Sequence, residues 1–121
     1  MEISIVQHNG VEVAIVSDMD VLIEDVQSAL DLMATVKYET GSSRIVLHKS
    51  AIAEPFFDLK TKLAGEIMQK FVNYQTTIAI VGDFSIYESK SLKDFIYESN
   101  KGRHIFFLDH EEQAVEKLSR V

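Results

Sequence analysis

Three short runs, RIVLH, TIAIVGD and HIFFL, are apolar almost end to end, and one-sided amphipathic stretches stand between them. A run too short for a helix and apolar without alternation suits a strand covered on both faces. The intervening stretches keep another period. Val26, Ala29, Leu30, Met33 and Val36 recur at three and four from Glu24 onward, as do Leu59, Leu63, Ala64, Ile67, Met68, Phe71 and Val72, which predict the longest helix. SLKDFIYES reads as a short helix, and DHEEQAVEKL closes the chain as another. Ahead of all these, EISIVQ and VEVAIV are joined through His8, Asn9 and Gly10, with Val11, Val13 and Ile15 on one face. Asn-Gly between two such runs marks a hairpin, because both residues accept positive φ. The order is therefore β-β-α-β-α-β-α-β-α. Right-handed crossovers then build one α/β domain over residues 1–121, a five-stranded mixed and mostly parallel sheet with four helices.

Local chemistry sharpens the boundaries. Gly41 follows Thr40 where a left-handed C-terminal cap is expected. Asp58 stands one residue before the second stripe, so its carboxylate is expected to cap that helix. Ser91 with Asp94, and Asp109 with Glu112, have capping-box spacing. Met33 and Met68 sit at helical spacing as core filling. Gly65 inside a helix costs about 1 kcal/mol relative to alanine, which implies a close approach there.

With 121 residues the chain can bury roughly two-thirds of its unfolded surface. It needs no staples, and it contains no Cys, so thiolate metal sites and Cys nucleophiles are excluded. MEISIVQHNG lacks the basic start and apolar stretch of a signal peptide, and no apolar run approaches a bilayer span. A cytoplasmic protein with no membrane association is expected. The 19 acidic and 12 basic residues give a net charge of −7, whose field repels phosphate backbones and argues against nucleic acid as a partner.

The segments DVQSALDLMATVKYETG, RIVLHKSAI, FFDLKTKLAGEIMQKF, AIVGDFS and SKSLKDFIYESNKG resemble the bacterial family known as domain of unknown function 4180. The likeness spans almost the whole chain, and it implies no particular activity. A more distant resemblance is to STAS domains of the anti-sigma-factor antagonist type, which also open on a strand pair and keep a phosphorylatable Ser at the start of the second helix. Asp58 matches the Asp of their Asp-Ser-Ser/Thr-Gly pattern, whereas Leu59 occupies the acceptor position and Thr61 lies out of register. This likeness implies a regulatory, protein-binding module.

Ligands in parallel α/β sheets collect at the carboxyl ends of the strands. That edge is expected to gather Ser17 and Asp18, His48, Lys49 and Ser50, Asp83 and Ser85, and Asp109 with His110. His48, Lys49, Ser50, Asp83, Ser85 and His110 are the candidate ligand-binding residues. Two His and two carboxylates (His48, Asp83, Asp109, His110) suit a divalent ion, but strand-end polarity and capping explain them, so no metal or cofactor is assigned. Neither Ser50 nor Ser85 lies in a G-x-S-x-G elbow, so no catalytic residue is assigned. The lone Gly of VGDFS makes no phosphate cradle. Lys60 and Lys62 read as solvated. An apolar turn before a helix, as at Pro55, Phe56 and Phe57, is usually a lid over the core, and the alternative is a contact patch. Phe56, Phe57, Asp58, Thr61 and Phe84 are the candidate partner-binding residues, with this turn and the loop holding Phe84, Ile86 and Tyr87 expected side by side. The expected partner is another protein or a second copy of the chain. Thr61 and Ser50 are candidate phosphosites, because amides at a helix start favour phosphate.

Overall fold

The computed structural model describes residues 1–121. Strands β1 (Glu2–His8) and β2 (Val11–Ser17) form the antiparallel hairpin, turned at Asn9 (φ 53°) and Gly10 (φ 77°). Strands β3 (Arg44–His48), β4 (Thr77–Val81) and β5 (Ile105–Leu108) join β2 in parallel, in the spatial order β1-β2-β3-β4-β5. The architecture is the five-stranded, mostly parallel sheet expected from the alternation. Each crossover steps one strand in the same direction. Right-handed connections taken repeatedly that way must lie on one face.

Helices α1 (Val26–Thr40), α2 (Leu63–Asn73) and α3 (Lys90–Lys101) accordingly share a face, while α4 (Glu111–Leu118) covers the other. The strands alternate between two cores. Ile45, Leu47, Ile78, Ile80, Ile105 and Phe107 meet α1, α2 and α3, while Val46, Ala79, Val81 and Phe106 meet Ala114, Val115 and Leu118 of α4. Residues that read as continuous hydrophobicity are thus shared between two layers. No helix is long and apolar enough to cross a membrane.

The helix ends obey local hydrogen bonding. Asp25 accepts the Ser28 N–H at 2.7 Å while Ser28 Oγ accepts the Asp25 N–H at 3.0 Å, a reciprocal cap that starts α1. Gly41 closes that helix at φ 77°, as expected. Three of the anticipated boundaries differ. Asp58 caps only a short 3-10 turn, Leu59–Thr61, and α2 begins at Leu63 after Lys62 has taken φ 65°. The first helix, with 15 residues, is therefore longer than the second, with 11. Helix α3 is capped by Ser89, which accepts the Leu92 N–H at 3.2 Å, in place of Ser91. At α4 the N-cap position is His110, and Gln113 Oε1 reaches back to the Asp109 and His110 amides, so Asp109 is not the cap. Gly65 is exposed and an added Cβ would meet nothing within 4 Å, which overturns the expected close approach.

Candidate functional site

The carboxyl ends of β3, β4 and β5 stop at neighbouring points, because the strands pair in register from Arg44 to His48 and from Ile78 to Leu108. There His48, Asp83, Asp109, His110 and Glu111 surround an open depression of about 520 Å³. His48 Nε2 lies 3.1 Å from Glu111 Oε2, and both side chains are nearly half exposed, so this contact is a weak surface pair. Asp83 accepts the Ser85 amide at 2.9 Å and the Ser85 hydroxyl at 2.5 Å. These two donors, with the charge of Lys49 behind them, hold its carboxyl below the usual carboxylate range. Ser85 is thereby spent on building the turn after β4. At the end of β2, Asp18 accepts the Asp20 amide and pairs with the Met1 ammonium at 3.1 Å, which lowers its pKa. No group of three or more His, Asp or Glu side chains is arranged to hold a metal ion.

Lys49 leaves this depression and enters an aromatic clasp. Its Nζ stands 5.4 Å from the Phe57 ring centre and 5.0 Å from that of Tyr87, with Glu54 Oε1 at 3.6 Å. Tyr87 donates its hydroxyl to Glu54 and stacks on Phe57, ring centres 5.2 Å apart. Tyr87, and behind it Glu54, hold the Lys49 ammonium above its ordinary pKa against the opposing effect of burial. Burial, with the Glu54 hydrogen bond, pushes the Tyr87 phenol up. The clasp ties the end of β3 to the loop after β4. Gly82 makes it fit, since a Cβ there would lie 2.7 Å from Lys49 Cβ. Ser50 is exposed nearby in the first 3-10 turn (Lys49–Ala51) and joins neither group.

The candidate partner-binding residues separate by burial. Phe56 and Phe57 are 1% and 4% exposed, so the turn is the lid over the core, and these two rings form no surface patch. Phe84 is half-buried, packed edge-on to Phe107 at 5.3 Å and 6.1 Å from Phe57, so the two apolar loops do lie side by side. Between them runs a groove of about 640 Å³, with Pro55, Leu59 and Tyr87 as apolar walls over the buried Phe57 and Leu92, and Glu54, Asp58 and Glu88 as carboxylates. Ile86 stands beside it at 62% exposure. Thr61 also lines it, but its hydroxyl is already engaged. It donates toward the Pro55 and Asp58 carbonyls at 2.7 and 2.8 Å and accepts the Leu63 amide at 3.2 Å, so Thr61 is the residue that starts α2.

Glu54 carries no sequence signal of its own, and Tyr87 reads only as part of an apolar loop. The available signal is a Lys just past a strand end, a Glu five residues on in the same loop, and a Tyr in the loop after the next strand. A third cavity, about 510 Å³, lies at the opposite end of the sheet between α1 and the turn before β4, lined by Gln27, Asp31, Lys37, Tyr74 and Thr76 among others. The sequence does not point there, because its polar residues read as solvated helix surface and turn, while Leu30 and Met33 read as core.

No curated protein and no solved structure matches the chain. The family likeness is of another order. The two cores, the clasp and the groove all draw on residues 8–118, the span over which the chain matches the family model described as domain of unknown function (DUF4180), and the chain belongs to that family.

Proposed function

We propose that the chain is a non-catalytic, regulatory protein-binding module of STAS-like architecture, which takes a segment of another protein into the groove between residues 54–61 and the loop after β4. The observation that carries this reading is the groove itself: apolar surface from Pro55, Leu59, Tyr87 and Ile86 between carboxylates of Glu54, Asp58 and Glu88. That combination fits a short segment with apolar anchors and flanking Lys or Arg, because the apolar side chains supply area and the carboxylates supply orientation.

Selection of displayed random peptides on the wild-type protein, with counter-selection on Ile86→Glu and Asp58→Lys, tests it. Enriched sequences should be basic and apolar, and should lose binding to both variants. Recovery of no sequence that distinguishes wild type from the variants would sink the reading.

A second reading rests on the convergence of His48, Asp83, Asp109, His110 and Glu111 around one depression. Such an acidic and imidazole-rich bowl suits a small organic cation. Titration with putrescine should then move the ring resonances of His48 and His110 together. Unmoved resonances up to millimolar diamine would remove it.

A further inference from the structure

The sheet has one closed edge and one open edge. Strand β5 is four residues long, and Asn100 of α3 lays its side-chain amide against it. The Phe107 N–H donates to Asn100 Oδ1 at 2.7 Å, and Asn100 Nδ2 donates to the Phe107 carbonyl at 3.1 Å, so a side chain occupies the place of a sixth strand. Strand β1 has no such protection. It keeps seven consecutive pairs with β2, and EISIVQH holds no Pro, Lys or bulge.

The hairpin fixes which groups face outward. A two-residue turn closes on the hydrogen-bonded pair His8 and Val11, so His8, Val6, Ser4 and Glu2 direct their amides and carbonyls to β2. Ile3, Ile5 and Gln7 then present theirs to the open edge. The two faces beside this edge differ in chemistry. Toward α1 lie Ile3, packed against the core, and Ile5, 41% exposed. Toward α4, a depression of about 450 Å³ brings Val6 and His8 next to Glu112 and Glu116. Glu116 is paired with Arg120, whereas Glu112, and Glu2 on the strand itself, enter no ion pair.

We propose that the open edge of β1 is a docking site for an extended segment of a partner protein, one whose side chains alternate basic and apolar. Backbone hydrogen bonds from Ile3, Ile5 and Gln7 hold the added strand. Its apolar residues lie beside Ile5, and its Lys or Arg residues lie on the α4 side, near Glu2 and Glu112. A second copy of β1 is the poorer occupant, because it brings another Glu2 and a chain of net charge −7 to an acidic edge. This surface is separate from the groove around Asp58, and either can be lost without the other.

The test is fluorescence anisotropy with a labelled peptide of alternating lysine and valine. Three comparison peptides are used: glutamate for lysine, the same composition scrambled, and the parent sequence with every amide N-methylated. Binding should weaken at least about tenfold for each of the three, and by as much for Ile5→Pro, which removes an outward N–H. Ile86→Glu should bind like wild type, which keeps the result distinct from the groove. If Ile5→Pro does not fold, Ile5→Lys reads the same surface by repelling the lysine strand. Equal binding of the N-methylated peptide would reduce the effect to electrostatic adsorption and overturn the proposal. So would sedimentation showing that wild-type chains pair through this edge without peptide.

Discussion

At the scale of single residues, two glycines behave oppositely. Gly82 is pressed against Lys49, and a methyl group there has to displace the Lys49 stem at its Cβ, the part least free to move. Gly82→Ala should therefore destabilise the protein by about 1–3 kcal/mol, and should shift the Tyr87 ring resonances as the clasp opens. Urea denaturation with one-dimensional NMR checks both. Gly65 has open space around its Cα, so Gly65→Ala gains helix propensity without a clash and should raise stability by about 0.5–1 kcal/mol in the same denaturation series. Both are glycines in an apolar context, and the sequence invites one explanation for both. Only the path of the neighbouring strand, which local sequence does not encode, distinguishes them.

Among elements, the entry to α2 teaches most. Leu59, Leu63 and Ile67 keep one phase across the 3-10 turns, so periodicity alone runs the helix back to Asp58, although the α-helix starts at Leu63. The switch lies in the Thr61 hydroxyl, which makes three contacts to backbone, and in the left-handed Lys62. Thr61→Ala should cost about 1–2 kcal/mol, and Asp58→Ala, which loses one bond in an exposed turn, distinctly less. Thermal melts of the two variants side by side decide the order. Strand identities were legible because RIVLH, TIAIV and IFFL need cover on both faces, whatever their neighbours. The site was legible only as a location. Strand ends bring His48, Asp83 and His110 together, but side-chain direction sends Lys49 into the aromatic rings and buries Phe56 and Phe57, and such directions depend on packing between elements distant in sequence.

On the scale of the whole molecule, the sheet is covered unequally. Three helices seal one face, whereas a single two-turn helix at the end of the chain seals the other. Acid weakens the fold in a known direction. Asp18, Asp25 and Asp83 have folded pKa values below their ordinary one, held there chiefly by backbone amides and the Ser85 hydroxyl, so each adds stability above its unfolded pKa. That contribution drains as pH falls through the lowered values, and urea midpoints should drop below the ordinary carboxylate range, less steeply in Asp25→Asn. The unequal cover also sets which part opens first. Helix α4 rests on Ala114, Val115 and Leu118 with chain on one side only, so it can detach without disturbing α1, α2 or α3. Hydrogen exchange should therefore show α4 amides exchanging by a partial opening below the global free energy, with those of β3 and β4 protected to the full value. Leu118→Ala should lower the α4 opening free energy and the global value read at β4 by the same amount, about 2–5 kcal/mol, and leave the gap between them unchanged. If α4 and β4 amides instead exchange with one free energy in both proteins, the smaller core is an inseparable part of the larger.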